Sequence, residues 1–129
     1  MKIYISSVLV DDVARAYDFY VGTLGFEVRD DVTAGDYRWL TVCNPGDRDG
    51  AQLLLEPKGH PAAGPSTEAL KNDGIPLPQF LSDDVAAEYE KLQAKGVRFT
   101  LEPTDVGPSI IAIFDDTVGN LILLVQLKR

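Results

Sequence analysis

The sequence predicts an α+β fold in which two tandem β-α-β-β-β modules form an open, barrel-like eight-stranded sheet around a cleft, with the helices outside. Three pairs of repeated segments predict this architecture. They are residues 10–17 (VDDVARAY) with 82–89 (SDDVAAEY), 24–28 (LGFEV) with 95–99 (KGVRF), and 49–56 (DGAQLLLE) with 118–125 (VGNLILLV). An internal repeat of only two units favours a pseudo-symmetric pair of modules over a solenoid, which needs at least three repeats.

The first module has the pattern of a strand, a helix and three further strands. Residues 2–10 are β-branched and apolar, which predicts the first strand. Asp11 and Asp12 supply an N-cap for a helix over residues 13–24, whose apolar side chains recur at spacings of three and four. Gly25 ends this helix. The remaining strands are predicted over residues 26–29, 37–42 and 51–56.

The second module repeats this order. Asp83 and Asp84 are predicted to cap its helix, which runs to about Ala94 and ends at Gly96. Its strands are predicted over residues 77–81, 97–101, 110–114 and 120–127.

A long connector, rich in proline and glycine, joins the two modules. A short helix is predicted to begin within it near Pro65 and to end at Gly74. We expect this connector to lie over one edge of the sheet. The whole chain is expected to be a single domain, 1–129, with module one at about 1–57, the connector at about 58–76 and module two at about 77–129.

Composition excludes several classes of partner. A net charge of -8 argues against binding of nucleic acid and of anionic membrane surfaces, because both require a basic face. No apolar run approaches the length that a transmembrane helix needs. Cys43 is the only cysteine, so no intrachain disulfide can form, and a cytoplasmic location is expected. Because Cys43 lies in a strand-like run, we interpret it as a buried, inert thiol.

The ordered motifs of the chain resemble those of the vicinal oxygen chelate superfamily, which includes glyoxalase I, bleomycin-resistance proteins, fosfomycin-resistance enzymes and extradiol dioxygenases. The matching elements are a strand followed by Val10-x-Asp12, a helix containing Phe19-Tyr20 and Leu24-Gly25-Phe26, then Glu102-Pro103 and Asp116-x-x-Gly119-Asn120. The resemblance covers nearly the whole chain. It implies the fold predicted above and, because members commonly pair, a homodimer. It does not imply one activity, because function depends on the site.

Enzymes of this superfamily usually hold one divalent metal through His, Glu or Gln side chains from the first and last strands of each module. The resemblance places these positions at Ile5, Leu54, Leu77 and Leu123. All four are aliphatic and offer no lone pair, so we expect no cofactor at this site. A shift along the strands by two residues would bring Ser7, Gln52, Gln79 or Glu56 into the same cleft, and among these only Glu56 is a strong metal ligand.

His60 and the paired aspartates are further candidates for chemistry. His60 is the only histidine and lies in the connector, where we favour a solvent-exposed loop residue over a metal ligand or catalytic base. The pairs Asp11-Asp12 and Asp115-Asp116 precede a helix or a turn, which favours capping over acid–base catalysis.

Residues 37–39 (YRW) form the main aromatic and polar cluster. Neighbouring residues on a strand face opposite ways, so only one of Arg38 and Trp39 can reach the cleft. An aromatic wall or an anchoring arginine would suit a small organic ligand. The equally weighted interpretation is that Trp39 belongs to the core and Arg38 is solvated.

Three hypotheses for function follow. The first is a metal-free protein that binds a small, mostly apolar molecule in the cleft. The second is a metal-dependent lyase or dioxygenase with displaced ligands, or a metal-free isomerase; the third is an accessory or sensor module without catalysis. For the first, the predicted ligand-binding residues are Ile5, Ser7, Arg38, Trp39, Gln52, Leu54, Leu77, Gln79 and Leu123.

Overall fold

The repeat in the sequence is also a repeat of strand topology. The computed structural model describes residues 1–129 and divides into two units, Met1–Gly64 and Pro65–Arg129. The boundary lies inside the predicted connector. Each unit contains one four-stranded sheet, and the predicted α+β class with two β-α-β-β-β modules is confirmed. The assignment of both modules to a single domain around one cleft stays a prediction.

The first unit contains strands β1 (Ile5–Val10), β2 (Glu27–Ala34), β3 (Tyr37–Cys43) and β4 (Gln52–Pro57). They lie in the order β1-β4-β3-β2. The β1–β4 pair is parallel and the other pairs are antiparallel. Antiparallel neighbours need only short turns, whereas β1 and β4 must be reached through a crossover.

The helix of the first unit begins as predicted and changes from an α-helix to a π-helix after Tyr17. Helix α1 (Val13–Tyr17) is capped by Asp12, whose Oδ1 accepts from the Arg15 amide at 2.9 Å. Its continuation, Asp18–Thr23, is a π-helix that buries Phe19 and Tyr20. Gly25, at φ 86°, then ends the helix in a conformation that favours glycine.

The face of the first sheet that packs on α1 forms the apolar core of this unit. Arg38 lies over the Tyr17 ring, which identifies this face, and α1 packs against β4. Strand register places on the same face the buried side chains of Val8, Val10, Leu40, Val42 and Leu55. We call the opposite face the distal face of the first sheet. It carries Ile5, Ser7, Trp39, Thr41, Cys43, Gln52, Leu54 and Glu56.

The second unit contains helices α2 (Ala63–Asn72, which begins just before the unit boundary) and α3 (Val85–Ala94), with strands β5 (Gln79–Leu81), β6 (Phe99–Asp105), β7 (Ser109–Asp115) and β8 (Leu121–Leu127). The strand order is β5-β8-β7-β6, and β5 is parallel to β8. Phe99 joins α3 to the sheet, since its ring lies 4.7 Å from that of Tyr89 and 5.6 Å from that of Phe114. This sheet therefore repeats the first in order and in helix packing.

Strand β2 continues to Ala34, five residues beyond its predicted end. Two further differences from the predicted strands have reasons visible in the sequence. Strand β5 begins at Gln79 and not at Leu77, because Pro76 and Pro78 flank Leu77 and a proline cannot donate to a strand ladder. Strand β6 extends through Pro103, which an edge strand tolerates, and its register shifts between Leu101 and Thr104. None of the three helices has the length and hydropathy of a membrane span.

Candidate functional site

The distal face of the first sheet brings together five of the predicted ligand-binding residues. Ile5 pairs with Gln52, and Ser7 pairs with Leu54. On the other side of β4, Thr41 pairs with Leu54 and Cys43 with Gln52. Because residues two apart on a strand share a face, Trp39 lies on this face with Thr41. The predicted residues Ile5, Ser7, Trp39, Gln52 and Leu54 therefore form one connected surface.

The side chains at the edge of this surface are accessible to solvent, and those at its centre are buried. Ser7 is exposed, and Ile5 and Trp39 are half-buried. Leu54 is 5% exposed, Thr41 is fully buried and Gln52 is 7% exposed. Cys43 on the same face is a free, buried thiol, in agreement with its interpretation from the sequence.

Two buried oxygens on the distal face have no hydrogen-bond partner. They are Oγ1 of Thr41 and Oε1 of Gln52. A buried polar atom left unpaired costs about 1–3 kcal/mol, so such atoms are few in folded proteins. The sequence showed Gln52 and Thr41 as polar residues in apolar strands. Only the structure shows that both are buried and unpaired.

Arg38 lies on the opposite face, towards α1. Its guanidinium donates to both carboxylate oxygens of Asp31, at 2.9 Å and 2.8 Å, and lies 5.4 Å from the centre of the Tyr17 ring. The hydrogen bond from Arg38 is the main reason that the pKa of Asp31 is lowered, and that of Arg38 is correspondingly raised. Of the two candidates at residues 38 and 39, the structure thus places Trp39, and not Arg38, on the face that carries Gln52 and Leu54.

The partner of Arg38 was missed in the sequence. Asp31 lies seven residues earlier, and the turn at Gly35 folds β2 back onto β3, so that Thr33 pairs with Arg38 and Asp31 is a diagonal neighbour. An Asp and an Arg on opposite arms of a Gly-Asp hairpin, offset by two residues from direct pairing, are a usable signal for such an ion pair.

In the second unit, Gln79 and Leu123 are paired across β5 and β8. Gln79 is exposed and Leu123 is half-buried. They lie on the face away from α3, because Phe114, which faces that helix, has the other parity. The assignment of Gln79 and Leu123 to a ligand site stays a prediction.

Leu77 lies outside the regular strand and is 61% exposed. Its amide donates to the carbonyl of Leu121 at 3.3 Å, which anchors the chain before β5. A shallow depression beside it is lined by Thr67, Leu70, Lys71, Ile75, Gly119, Asn120 and Leu121. Helix α2 is held there by an ion pair of 3.1 Å between Lys71 and Asp115.

The residues at the expected metal positions do not fit a divalent ion. Ile5, Leu54, Leu77 and Leu123 have no donor atoms. Glu56 is paired with Leu9 on the distal face, and no cluster of three or more His, Cys, Asp or Glu side chains could hold a metal. His60 is exposed, and its Nδ1 accepts from the amide of Ala62 at 3.0 Å, which is a turn interaction.

At least one member of each acidic pair performs the predicted capping role, whereas Asp11 instead forms an ion pair with Lys58. Oδ1 of Asp84 accepts from the amide of Ala87 at 3.0 Å at the start of α3, as Asp12 does at α1. Asp115 accepts from the Thr117 amide at 2.7 Å. Asp116 is fully buried and accepts from the amides of Val118 and Asn120 and from the Asn120 side chain, each at 2.9 Å. These carboxylates therefore accept hydrogen bonds from the amides of the turns and helix starts that they stabilise.

Comparison with known proteins adds to this geometry. Residues 4–124 match the sequence model of the Glyoxalase/Bleomycin resistance protein/Dioxygenase superfamily. A Bacillus subtilis (strain 168) relative, "Uncharacterized protein YurT", is 47% identical over 126 residues, which covers 98% of this chain and 99% of the relative.

Two solved structures are similar over nearly their whole length. TnmS3, an antibiotic binding protein from Streptomyces sp. CB03234, is 30% identical with a TM-score of 0.80, covering 99% of this chain and 97% of that one. UcmS2 is 29% identical with a TM-score of 0.84, covering 97% of each chain. From the repeated topology, the matched motifs and these similarities, the chain belongs to the glyoxalase/bleomycin resistance protein/dioxygenase superfamily.

Proposed function

We propose that this protein binds a small, mostly apolar molecule without a metal ion. The proposal is supported by the residues at the four positions where the resemblance to the superfamily places metal ligands, which are Ile5, Leu54, Leu77 and Leu123. Aliphatic side chains cannot replace the water shell of a cation, but they stabilise an apolar ligand by about 0.8 kcal/mol per buried methylene.

The distal face supplies the other groups that such a site needs. Small-molecule sites are mostly apolar with a few polar groups that orient the ligand. Here Trp39 offers an aromatic surface, and Ser7 and Gln52 offer polar atoms beside Ile5 and Leu54. The similarity to TnmS3, which is described as an antibiotic binding protein, supports a ligand of that general kind.

Metal analysis tests the first half of the proposal. Protein purified without added metal and dialysed against a chelator is expected to contain far less than one equivalent of Zn, Ni, Mn or Fe per chain by elemental analysis. One equivalent that survives dialysis would contradict the proposal. The double variant Ile5→His with Leu54→His, which places two imidazoles at diagonal positions of the distal face, is the positive control and should gain partial zinc affinity.

Ligand screening tests the second half. A panel of apolar compounds is expected to raise the melting temperature in a thermal-shift assay, because a ligand that binds only the folded state stabilises it. Gln79→Leu should change which compounds bind while leaving the fold intact, since Gln79 is exposed. A panel that gives no shift at all would leave the sensor or accessory hypothesis as the better one.

We also propose that the chain forms a homodimer. Strands β1 and β5 are edge strands of their sheets, and corresponding apolar residues beside them are exposed. Ile3 is exposed before β1, Ile75 is exposed before β5, and Leu81 within β5 is 69% exposed. Exposed edges with apolar side chains are commonly covered by another chain.

A further inference from the structure

Thr41 and Gln52 place two unpaired oxygens close together on the distal face. Thr41 pairs with Leu54, and Gln52 precedes Leu54 by two residues on the same strand. The two are therefore diagonal neighbours on one face, at a Cα separation of roughly 7–8 Å. Both oxygens are buried and accept no hydrogen bond.

The residues paired with Gln52 and Thr41 do not supply the missing donors. On this face Gln52 is flanked by Ile5 and Cys43, and Thr41 is flanked by Leu54 and Asp30. The first three carry no O–H or N–H group, and the carboxylate of Asp30, which is paired with Arg29, accepts hydrogen bonds. Thr41 has a hydroxyl of its own, but it makes no hydrogen bond to Gln52. A bound ligand can therefore supply the donors.

We infer that the ligand donates hydrogen bonds to Oε1 of Gln52 and Oγ1 of Thr41. Its chemical class is then an apolar or aromatic molecule with at least one O–H or N–H group, such as a phenol. This inference rests on the proposed function and deepens it, because it states which polar group the bound molecule presents.

Physical chemistry favours this use of the two oxygens. A hydrogen bond usually contributes little net affinity, because the protein group must first lose its bond to water. In the free protein both oxygens are inaccessible to bulk solvent and have no hydrogen-bond partner within the chain. A donor on the ligand can therefore form a hydrogen bond to either oxygen without first displacing a hydrogen bond to bulk water. Since the atoms are buried, the side chains above them must move when the ligand enters.

Trp39 provides a direct reporter for this inference. It is the only tryptophan in the chain, and it shares the distal face with Thr41. Quenching of its fluorescence can follow the binding of para-tert-butylphenol and of its methyl ether, para-tert-butylanisole. The two probes have the same apolar group, but only the phenol can donate a hydrogen bond.

The wild-type chain is expected to bind the phenol about tenfold more tightly than the ether. Gln52→Leu should reduce this preference strongly, and Thr41→Val should reduce it as well. Gln93→Leu, a matched change at an exposed position of α3, should leave it unchanged. Equal binding of both probes by the wild-type chain, or an undiminished preference in both variants, would overturn the inference.

A stability measurement separates this role from a structural one. Valine has the shape of threonine without the hydroxyl, so Thr41→Val is expected to raise the melting temperature of the ligand-free protein. A lowered melting temperature together with an unchanged phenol preference would mean that an internal water satisfies the hydroxyl, and the inference would be wrong. Failure of both probes to bind up to their solubility would contradict the proposed function as well, whereas equal binding contradicts only the donor inference.

Discussion

Individual residues of the same chemical type have different energetic roles in this protein. Leu54 and Leu77 are both predicted ligand-binding residues, yet Leu54 is 5% exposed and Leu77 is 61% exposed. Their aliphatic character was evident in the sequence. Their burial was not, because it depends on which other segments cover them.

A matched pair of substitutions measures this difference. Leu54→Ala is expected to lower the free energy of unfolding by about 2–5 kcal/mol, because it leaves a cavity in packed surroundings. Leu77→Ala should change it by no more than about 0.5 kcal/mol, as is usual for exposed positions. Urea denaturation of both variants provides the comparison, and an equal loss in the two would show that Leu77 is buried in solution.

The ion pair of Arg38 and Asp31 predicts a dependence of stability on pH. The pKa of Asp31 lies below its ordinary value of 3.8, mainly because of the hydrogen bond from Arg38. The folded state therefore favours the carboxylate, so this contribution is present above pH 3.8 and is lost as the pH falls through the lowered pKa. Both side chains are about one-third exposed, which limits the contribution to about 1 kcal/mol or less.

Asp31→Asn tests this dependence while Arg38 stays in place over Tyr17. The variant should be less stable than the wild type at neutral pH, and the difference should shrink as the solution is acidified. Thermal unfolding across the acidic range measures it. Asp36→Asn, in the exposed turn between β2 and β3, is the control. A difference that stays constant with pH would assign the effect to packing.

At the scale of secondary-structure elements, the chain specifies its helix starts through local side-chain contacts. Asp12 and Asp84 were predicted as caps, and each accepts from an amide three residues later. The π-helical winding of Asp18–Thr23 was not predicted, since the spacing of apolar residues in so short a segment does not distinguish it from an α-helix. Caps are local, whereas the winding depends on how Phe19 and Tyr20 pack.

Removal of one cap tests this local contribution. Asp84→Ala should lower the free energy of unfolding by about 1 kcal/mol, because the Ala87 amide at the start of α3 loses its acceptor. Asp83→Ala is the matched control, since Asp83 is exposed and precedes the cap. Chemical denaturation should show a smaller loss for Asp83→Ala. The reverse order would place the cap at Asp83.

For the whole molecule, the proposed homodimer gives a direct prediction. Light scattering at micromolar concentration is expected to give twice the chain mass of 14.1 kDa. Leu81→Lys should shift the mass towards one chain, because a lysine on an edge strand opposes pairing with another sheet. Val106→Lys changes an exposed apolar residue outside the strands and serves as the control. A wild-type mass near 14.1 kDa would refute the dimer.

The sequence by itself determined the repeated architecture, the order of its elements and the helix caps, and it showed that the positions expected to hold metal ligands are aliphatic. These properties depend on local periodicity, on glycine and aspartate chemistry, and on the identity of single residues. The alternation of a strand also required Arg38 and Trp39 to face opposite ways.

Only the tertiary structure decided which face Arg38 and Trp39 each occupy, which leucines are buried and which polar atoms have no hydrogen-bond partner. Arg38 faces α1 because its guanidinium meets Asp31 and Tyr17 there. Gln52 and Thr41 become candidate ligand contacts because their oxygens are buried and no other side chain of the protein donates to them. Burial and hydrogen-bond satisfaction are properties of segments distant in sequence, and no local pattern encodes them.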